Sequence, residues 1–288
     1  MKKLLLTFIC FLSFATPAQA FNGAVLLPCP FVNQAQVDPI VSPGAVSHHM
    51  HDFFGGGPVT STTTSSTLRA GNTSCQIKSD RAAYWVPSVV KTNGEFAKPT
   101  GFAVYYRAAM TTTSTTRIQP FPPELAFVSG NPRNTDKFKS AGNWRCTGGS
   151  PIKSIPTNCG GKGFQLTFAF ARCWDGVTLK SSVTPSPYMR GTLADGSCPS
   201  THPVPLPQLS YIINWGPDAV GGRLSSDILG SPAGSSLHGD FMNGWNPQSS
   251  LQAVVDKCLN VNTTGTGTVS CNPSGSSIYT SAGVFVTN

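Results

Sequence analysis

The sequence predicts a mostly β protein: a β-sandwich or jelly-roll-like single domain with a few short helices and up to four disulfides. Three observations lead there. The 288 residues include 29 Gly and 24 Pro, and only 11% are charged. Gly and Pro weaken helix interiors and favour short strands joined by turns. The clearest apolar patterns alternate with period two rather than 3.6. Finally, of nine cysteines, Cys10 lies in an N-terminal apolar run and the other eight follow it. An even count in an exported chain reads as a disulfide framework, although the spacing does not choose the pairing.

Taken in order, the first element is a targeting segment. Met1-Lys2-Lys3 is a positive start, residues 4–14 are apolar and Ala18-Gln19-Ala20 is a small-x-small cleavage site. Residues 1–20 therefore read as a signal peptide and 21–288 as one secreted domain, extracellular or periplasmic. The Ser/Thr tracts at 60–67 and 111–116 read as loops. Strands are expected near residues 102–108 and 125–128. In 163–170 alternation puts Phe164, Leu166, Phe168 and Phe170 on one face. In 209–215 it groups Leu209, Tyr211, Ile213 and Trp215. One helix is signalled, with Asn246 as N-cap, Pro247 at N1 and Leu251, Val254, Val255, Cys258 and Leu259 at helical spacing. The tail from 260 to 288 is polar, but Cys271 and the apolar Val284-Phe285-Val286 predict that it folds back.

Composition also excludes functions. With 39% apolar residues and 17 Phe, the chain can bury a core, which argues against disorder. The formal charge is +8, but the basic residues are scattered singly, so no nucleic-acid arm is present. No segment has the ~20 apolar residues needed to span a bilayer, so stable membrane insertion is not expected. The hydrolase elbow, zincin, P-loop and Rossmann patterns are all missing.

Histidine placement is the strongest chemical signal. Three of the five sit in Ser47-His48-His49-Met50-His51, and the others are His202 and His238. On an extended segment His49 and His51 share a face while His48 points away. Two imidazoles at that spacing suit one divalent metal, with Asp38 or His238-Gly239-Asp240 as further ligands. No cofactor beyond such a metal is implied. Acids are scarce, with only two Glu (Glu95 and Glu124); Asp38, Asp80, Asp175 and Asp240 have suggestive local contexts. Asp175, after the best strand in Arg172-Cys173-Trp174-Asp175-Gly176, suits either catalysis or a turn before Gly. Tyr84, Trp85, Tyr105, Tyr106, Trp174 and Trp245 have flat faces for sugar stacking, or serve as core.

The ordered blocks resemble a family of secreted proteins, domain of unknown function nineteen-ninety-six. They are Asp38-Pro39-Ile40-Val41-Ser42-Pro43-Gly44, Ser47-x-His49-x-His51 and Ala83-Tyr84-Trp85, then Tyr105-Tyr106-Arg107 and Cys173-Trp174-Asp175-Gly176. Phe121-Pro122, Cys198-Pro199-x-x-His202-Pro203, Leu206-Pro207-Gln208-Leu209 and His238-Gly239-Asp240-Phe241-Met242-Asn243-Gly244-Trp245 complete the set. Two departures are that 181–188 lacks the His usual in the family, and that Asn246 stands where an acid usually follows Gly-Trp. The resemblance implies a secreted, polysaccharide-associated domain.

These readings converge on a secreted polysaccharide-acting enzyme, a hydrolase or lyase, with one groove lined by His and Asp. His49, His51, His238, Asp38, Asp175 and Asp240 are its expected catalytic residues. Tyr84, Trp85, Tyr106, Arg107, Trp174, His202 and Trp245 are its expected substrate contacts, Arg107 toward an anionic or hydroxylated group. The partner would be a polysaccharide or cell-wall carbohydrate, and the protein a monomer. The alternatives are a non-catalytic carbohydrate-binding or cell-surface module, and a metal-binding envelope protein.

Overall fold

Alternating segments pair into two antiparallel sheets that face each other across an aromatic core. The computed structural model describes residues 23–108, 117–261, 269–271 and 277–279; the expected signal segment, the 111–116 tract and the apolar C-terminal end lie outside them. The strands are β1 (Ala24–Pro28), β2 (Phe31–Val37), β3 (Val46–Gly57), β4 (Ala83–Pro87), β5 (Pro99–Arg107), β6 (Ala126–Gly130), β7 (Gly142–Cys146), β8 (Phe164–Ala169), β9 (Gln208–Trp215) and β10 (His238–Met242). One sheet runs β1-β5-β9-β8-β7. The other runs β2-β3-β4-β10-β6, with the short strand Asn72–Thr73 also on β3. The expected sandwich is thus present.

Period-two alternation decides which side chains form the core. On β8 Phe164, Leu166 and Phe168 are buried, and on β9 Leu209, Tyr211, Ile213 and Trp215. They meet the inner face of the second sheet. Phe54 stacks on Phe102 at 4.2 Å between ring centroids, and Phe127 meets Phe170 at 5.8 Å. Each such burial contributes about 1.5–3 kcal/mol. Gly239 is required here, because a Cβ would stand 2.7 Å from the rings of Phe168 and Phe170.

The core also contains a polar chain. Trp245 Nε1 donates to the Tyr106 hydroxyl at 3.0 Å, and the Tyr84 hydroxyl donates to Asp80 at 2.7 Å. The two hydroxyls are 2.7 Å apart. Since Tyr84's proton goes to Asp80, Tyr106 donates to Tyr84. Tyr84, Tyr106 and Trp245 are fully buried, and so they do not take the substrate-contact role expected of them.

The outer face of the second sheet carries a smaller core in which Ile40, from the 38–45 loop, covers Phe53, Trp85, Val128 and Met242. Trp85, also expected at the substrate, is buried here at 5.5 Å from Phe53. Disulfides link Cys29–Cys75, Cys146–Cys159 and Cys173–Cys198, and Cys258 is disulfide-bonded as well.

Two helices differ from expectation. The 60–67 tract, read as a loop, contains the start of α1 (Ser65–Ala70), because Thr64 and Thr67 form a reciprocal capping box. The second helix, α2 (Gln248–Val254), begins after Pro247. The N-cap position falls on Pro247, one residue later than expected, so Asn246 does not cap the helix; its side-chain NH2 donates to the Arg69 carbonyl at 2.9 Å. In the tail, Val269–Cys271 pairs antiparallel with Ser277–Tyr279. Among the described residues no helix is long and apolar enough to cross a membrane.

Candidate functional site

The first half of β3 carries the His-x-His motif across the outer face of the second sheet. His48 is exposed, His49 half-buried and His51 fully buried, as alternation requires. In the sheet register His51 stands opposite Pro87 on β4, and His238 begins β10 opposite Gly130 of β6. The three rings of His49, His51 and His238 gather at centroid separations of 4.3, 5.0 and 5.9 Å. One ring nitrogen from each lies within 4.8 Å of the other two. His49 and His238 border a pocket of about 610 Å³.

Backbone carbonyls set the tautomers. His51 Nδ1 lies 2.9 Å from the Val37 carbonyl, and His238 Nδ1 lies 2.9 Å from the Ser236 carbonyl. A carbonyl only accepts, so both Nδ1 atoms carry the proton and both Nε2 atoms keep a lone pair. His49 Nε2 stands 3.1 Å from His238 Nε2, whereas His51 Nε2 is buried with no hydrogen-bond partner among the described residues. The rings are held uncharged. Burial first, then His238 and His48, push His49 down to about 3. Burial takes His238 down to about 4, and burial with the two neighbouring rings takes His51 well below the ordinary value.

Neutral imidazoles with Nδ1–H bonded to a carbonyl and Nε2 directed at a common point are the usual form of metal-ligating histidine. Metal–nitrogen bonds of about 2.0–2.1 Å in a tetrahedral shell place two ligand nitrogens ~3.3 Å apart. The 3.1 Å pair is close to that spacing. The donor set, three uncharged imidazoles with a nitrogen of each within 4.8 Å of the others, fits a divalent transition metal, which His49, His51 and His238 would hold. The cluster of Cys29, Cys75 and Asp80 does not fit one, because its two sulfurs form a disulfide.

Two of the expected acids accompany the histidines. Asp38 borders the pocket, and its Oδ1 accepts from the Ile40 and Val41 amides at 2.9 and 3.0 Å. Asp240 lies two residues beyond His238 on the same strand and hence on the same face. It is fully buried, and both its carboxyl oxygens lack partners among the described residues. Burial, then the charge of Asp38, raise it well above the usual carboxylate range.

The other expected residues are placed elsewhere. Asp175 takes the turn role: its Oδ1 accepts from the Val177 and Thr178 amides at 2.9 and 2.8 Å. Trp174 donates to the Thr178 carbonyl of that turn. His202 is engaged by the Pro187 carbonyl and the Thr201 hydroxyl, both at 2.9 Å. Arg107 lies on β5 in the other sheet, over the Tyr105 ring at 4.4 Å. None of these four borders the pocket.

Sequence reasoning missed the residues that hold the histidines. Asp227 is the main one. Its carboxylate accepts from the Leu224, Gly234 and Ser236 amides at 2.8, 2.8 and 3.1 Å and from the Ser236 hydroxyl at 2.7 Å. It thereby fixes the loop that delivers the Ser236 carbonyl to His238. Nothing local distinguishes Asp227 from any loop Asp. Arg133, which lines the pocket, was also missed, although Asn131-Pro132-Arg133-Asn134 carries a turn signal.

Fold and site together define a disulfide-linked β-sandwich with a cluster of three imidazoles beside a pocket on the outer face of one sheet. The chain belongs to the family described as Domain of unknown function (DUF1996), whose model matches residues 38–245. That span begins at Asp38 beside the pocket and ends at Trp245 in the core. No curated protein and no solved structure matches the chain.

Proposed function

We propose that the protein is a secreted, metal-dependent enzyme acting on a polysaccharide by hydrolysis or elimination. In this reading His49, His51 and His238 hold a divalent metal and the adjoining pocket seats the sugar. The observation that carries it is the convergence of three neutral imidazole nitrogens, two of them oriented through backbone carbonyls. Bound there, the metal would supply a water of pKa about 7 or polarise a substrate oxygen. The chain's own part is to orient the ligands, keep them unprotonated and leave one side open.

The remaining support is compositional. Hydroxyl side chains, among them Ser42, Ser47, Ser182, Thr184 and Ser226, wall the pocket and suit hydroxylated substrates. Disulfides accord with an oxidising compartment outside the cytosol. A non-catalytic carbohydrate-binding module is less well supported, because four of the six aromatics expected to stack on sugar, Tyr84, Trp85, Tyr106 and Trp245, are in the core, and neither Tyr105 nor Trp174 borders the pocket.

The test is to purify the protein without chelator, measure its metal by elemental analysis, and incubate it with a polysaccharide panel. Reducing ends and absorbance at 235 nm are both read. About one metal per chain, with either product lost on chelation and restored by zinc or copper, is expected. Metal without turnover on any polysaccharide would leave only a metal-binding protein. No metal and no response to added metal would reject the centre.

A further inference from the structure

We propose that the pocket takes an anionic sugar, with Arg133 as the receptor for its carboxylate or sulfate group. This rests on the metal-pocket reading above and names its substrate class. Arg133 is exposed and lines the pocket that His49 and His238 border. Among the described residues no carboxylate pairs with it. Asp136, the acid in its own loop, faces Lys139 at 3.9 Å. Asp38 is the one acid bordering the pocket, and its Oδ1 is occupied by two backbone amides. Lys180 lies near enough to Asp38 to favour its charged form, so a second cation stands beside the same loop. An unpaired guanidinium in a pocket of hydroxyls and neutral imidazoles selects for negative charge, and its planar fork matches a carboxylate or sulfate in two-point contact.

The mounting of Arg133 is built rather than incidental. It follows Gly130, the residue that pairs with His238 across the sheet. Asn131 Oδ1 accepts from the Arg133 amide at 3.0 Å, which fixes the turn. The Asn134 amide group donates at 2.8 Å to the Asp136 carbonyl and at 2.8 Å to the Ser235 carbonyl. Ser235 adjoins Ser236, whose carbonyl orients His238. The turn that carries Arg133 and the loop that orients His238 are therefore tied directly to each other. A fixed turn beside a reactive centre keeps the base of the arginine side chain at that centre, so that its guanidinium can hold one charged group of a substrate there.

The experiment uses the full mature protein, zinc-loaded and chelated, with metal content measured on each sample. Isothermal calorimetry probes are trigalacturonate, its fully methyl-esterified neutral form, and a sulfated trisaccharide. Trigalacturonate, the sulfated probe or both should bind the wild type at least tenfold more tightly than the neutral ester. Arg133→Ala should weaken the anionic probe about tenfold, the order of one lost charge-assisted hydrogen bond, leave the ester unchanged and keep the metal content. Arg133→Lys should recover part of the loss. Equal affinity for acid and ester, failure of both anionic probes to bind, or an unchanged preference in Arg133→Ala would overturn the proposal. Arg133-dependent anion binding in protein that takes up no zinc would instead uphold it and reject the metal centre.

Discussion

Replacing His51 tests the metal centre at its most informative ligand. His51 is fully buried, its Nδ1 serves Val37, and its Nε2 has no partner among the described residues. Zinc at a hundredfold its dissociation constant should stabilise chelated wild-type protein by about 2.7 kcal/mol. For a domain of this size that corresponds to a rise of about 5–10 °C in melting temperature. His51→Ala should cost about 2–4 kcal/mol without zinc, from the lost ring and the unpaired Val37 carbonyl, and should lose the zinc-dependent rise. His202→Ala is the control and should keep it, since His202 lies outside the cluster. The pH dependence adds a second signature. Because His49 and His238 are held down to about 3 and 4, protons should not displace zinc until well below pH 6. Without metal, the unfolded chain takes up a proton near pH 6.5 that folded His238 refuses until about 4. Its contribution to stability is thus full above pH 6.5 and lost as pH falls toward 4, by up to ~3 kcal/mol. Scanning calorimetry with and without zinc, at pH 7.5 and 5.5, reads both effects. A wild type with no rise for zinc, copper or nickel, or a His51→Ala variant with the full rise, would refute the reasoning.

Three further outcomes are expected. Burial raises Asp80 to about 7, above its unfolded value, so its contribution is present at low pH and lost as pH rises through 7. Wild-type stability should therefore fall by about 1.4 kcal/mol more between pH 6 and 8 than that of Asp80→Asn, read from urea titrations; parallel profiles would count against the shift. Gly130 has φ +86°, and a Cβ there would stand 2.5 Å from the Leu237 carbonyl and 2.8 Å from the His238 Cα. Gly130→Ala should thus lower the melting temperature by several degrees and weaken zinc uptake, whereas normal uptake would show that β10 tolerates the shift. Asp175→Ala should cost ~1 kcal/mol through the lost turn bonds and leave metal content unchanged; loss of metal would return Asp175 to the site.

Local chemistry made part of this protein legible. Alternation identified the inner faces of β8 and β9, because a strand buried on one side must place apolar residues at every second position. The same geometry puts His49 and His51 on one face whatever the partner strand. Side-chain chemistry could not say which aromatics are interior. Tyr84, Tyr106 and Trp245 suit sugar as well as core, and only the packing of the sheets, with Asp80 as acceptor at the end of their hydrogen-bond chain, assigns them to the core. Asp175 was ambiguous for the same reason, since a carboxylate before Gly serves a turn or a catalytic centre equally well until its amide partners are seen. The decisive event is long-range. His238 meets His49 across 189 positions of sequence because β4 lies between β3 and β10, and strand order is a property of the whole sheet rather than of any segment within it.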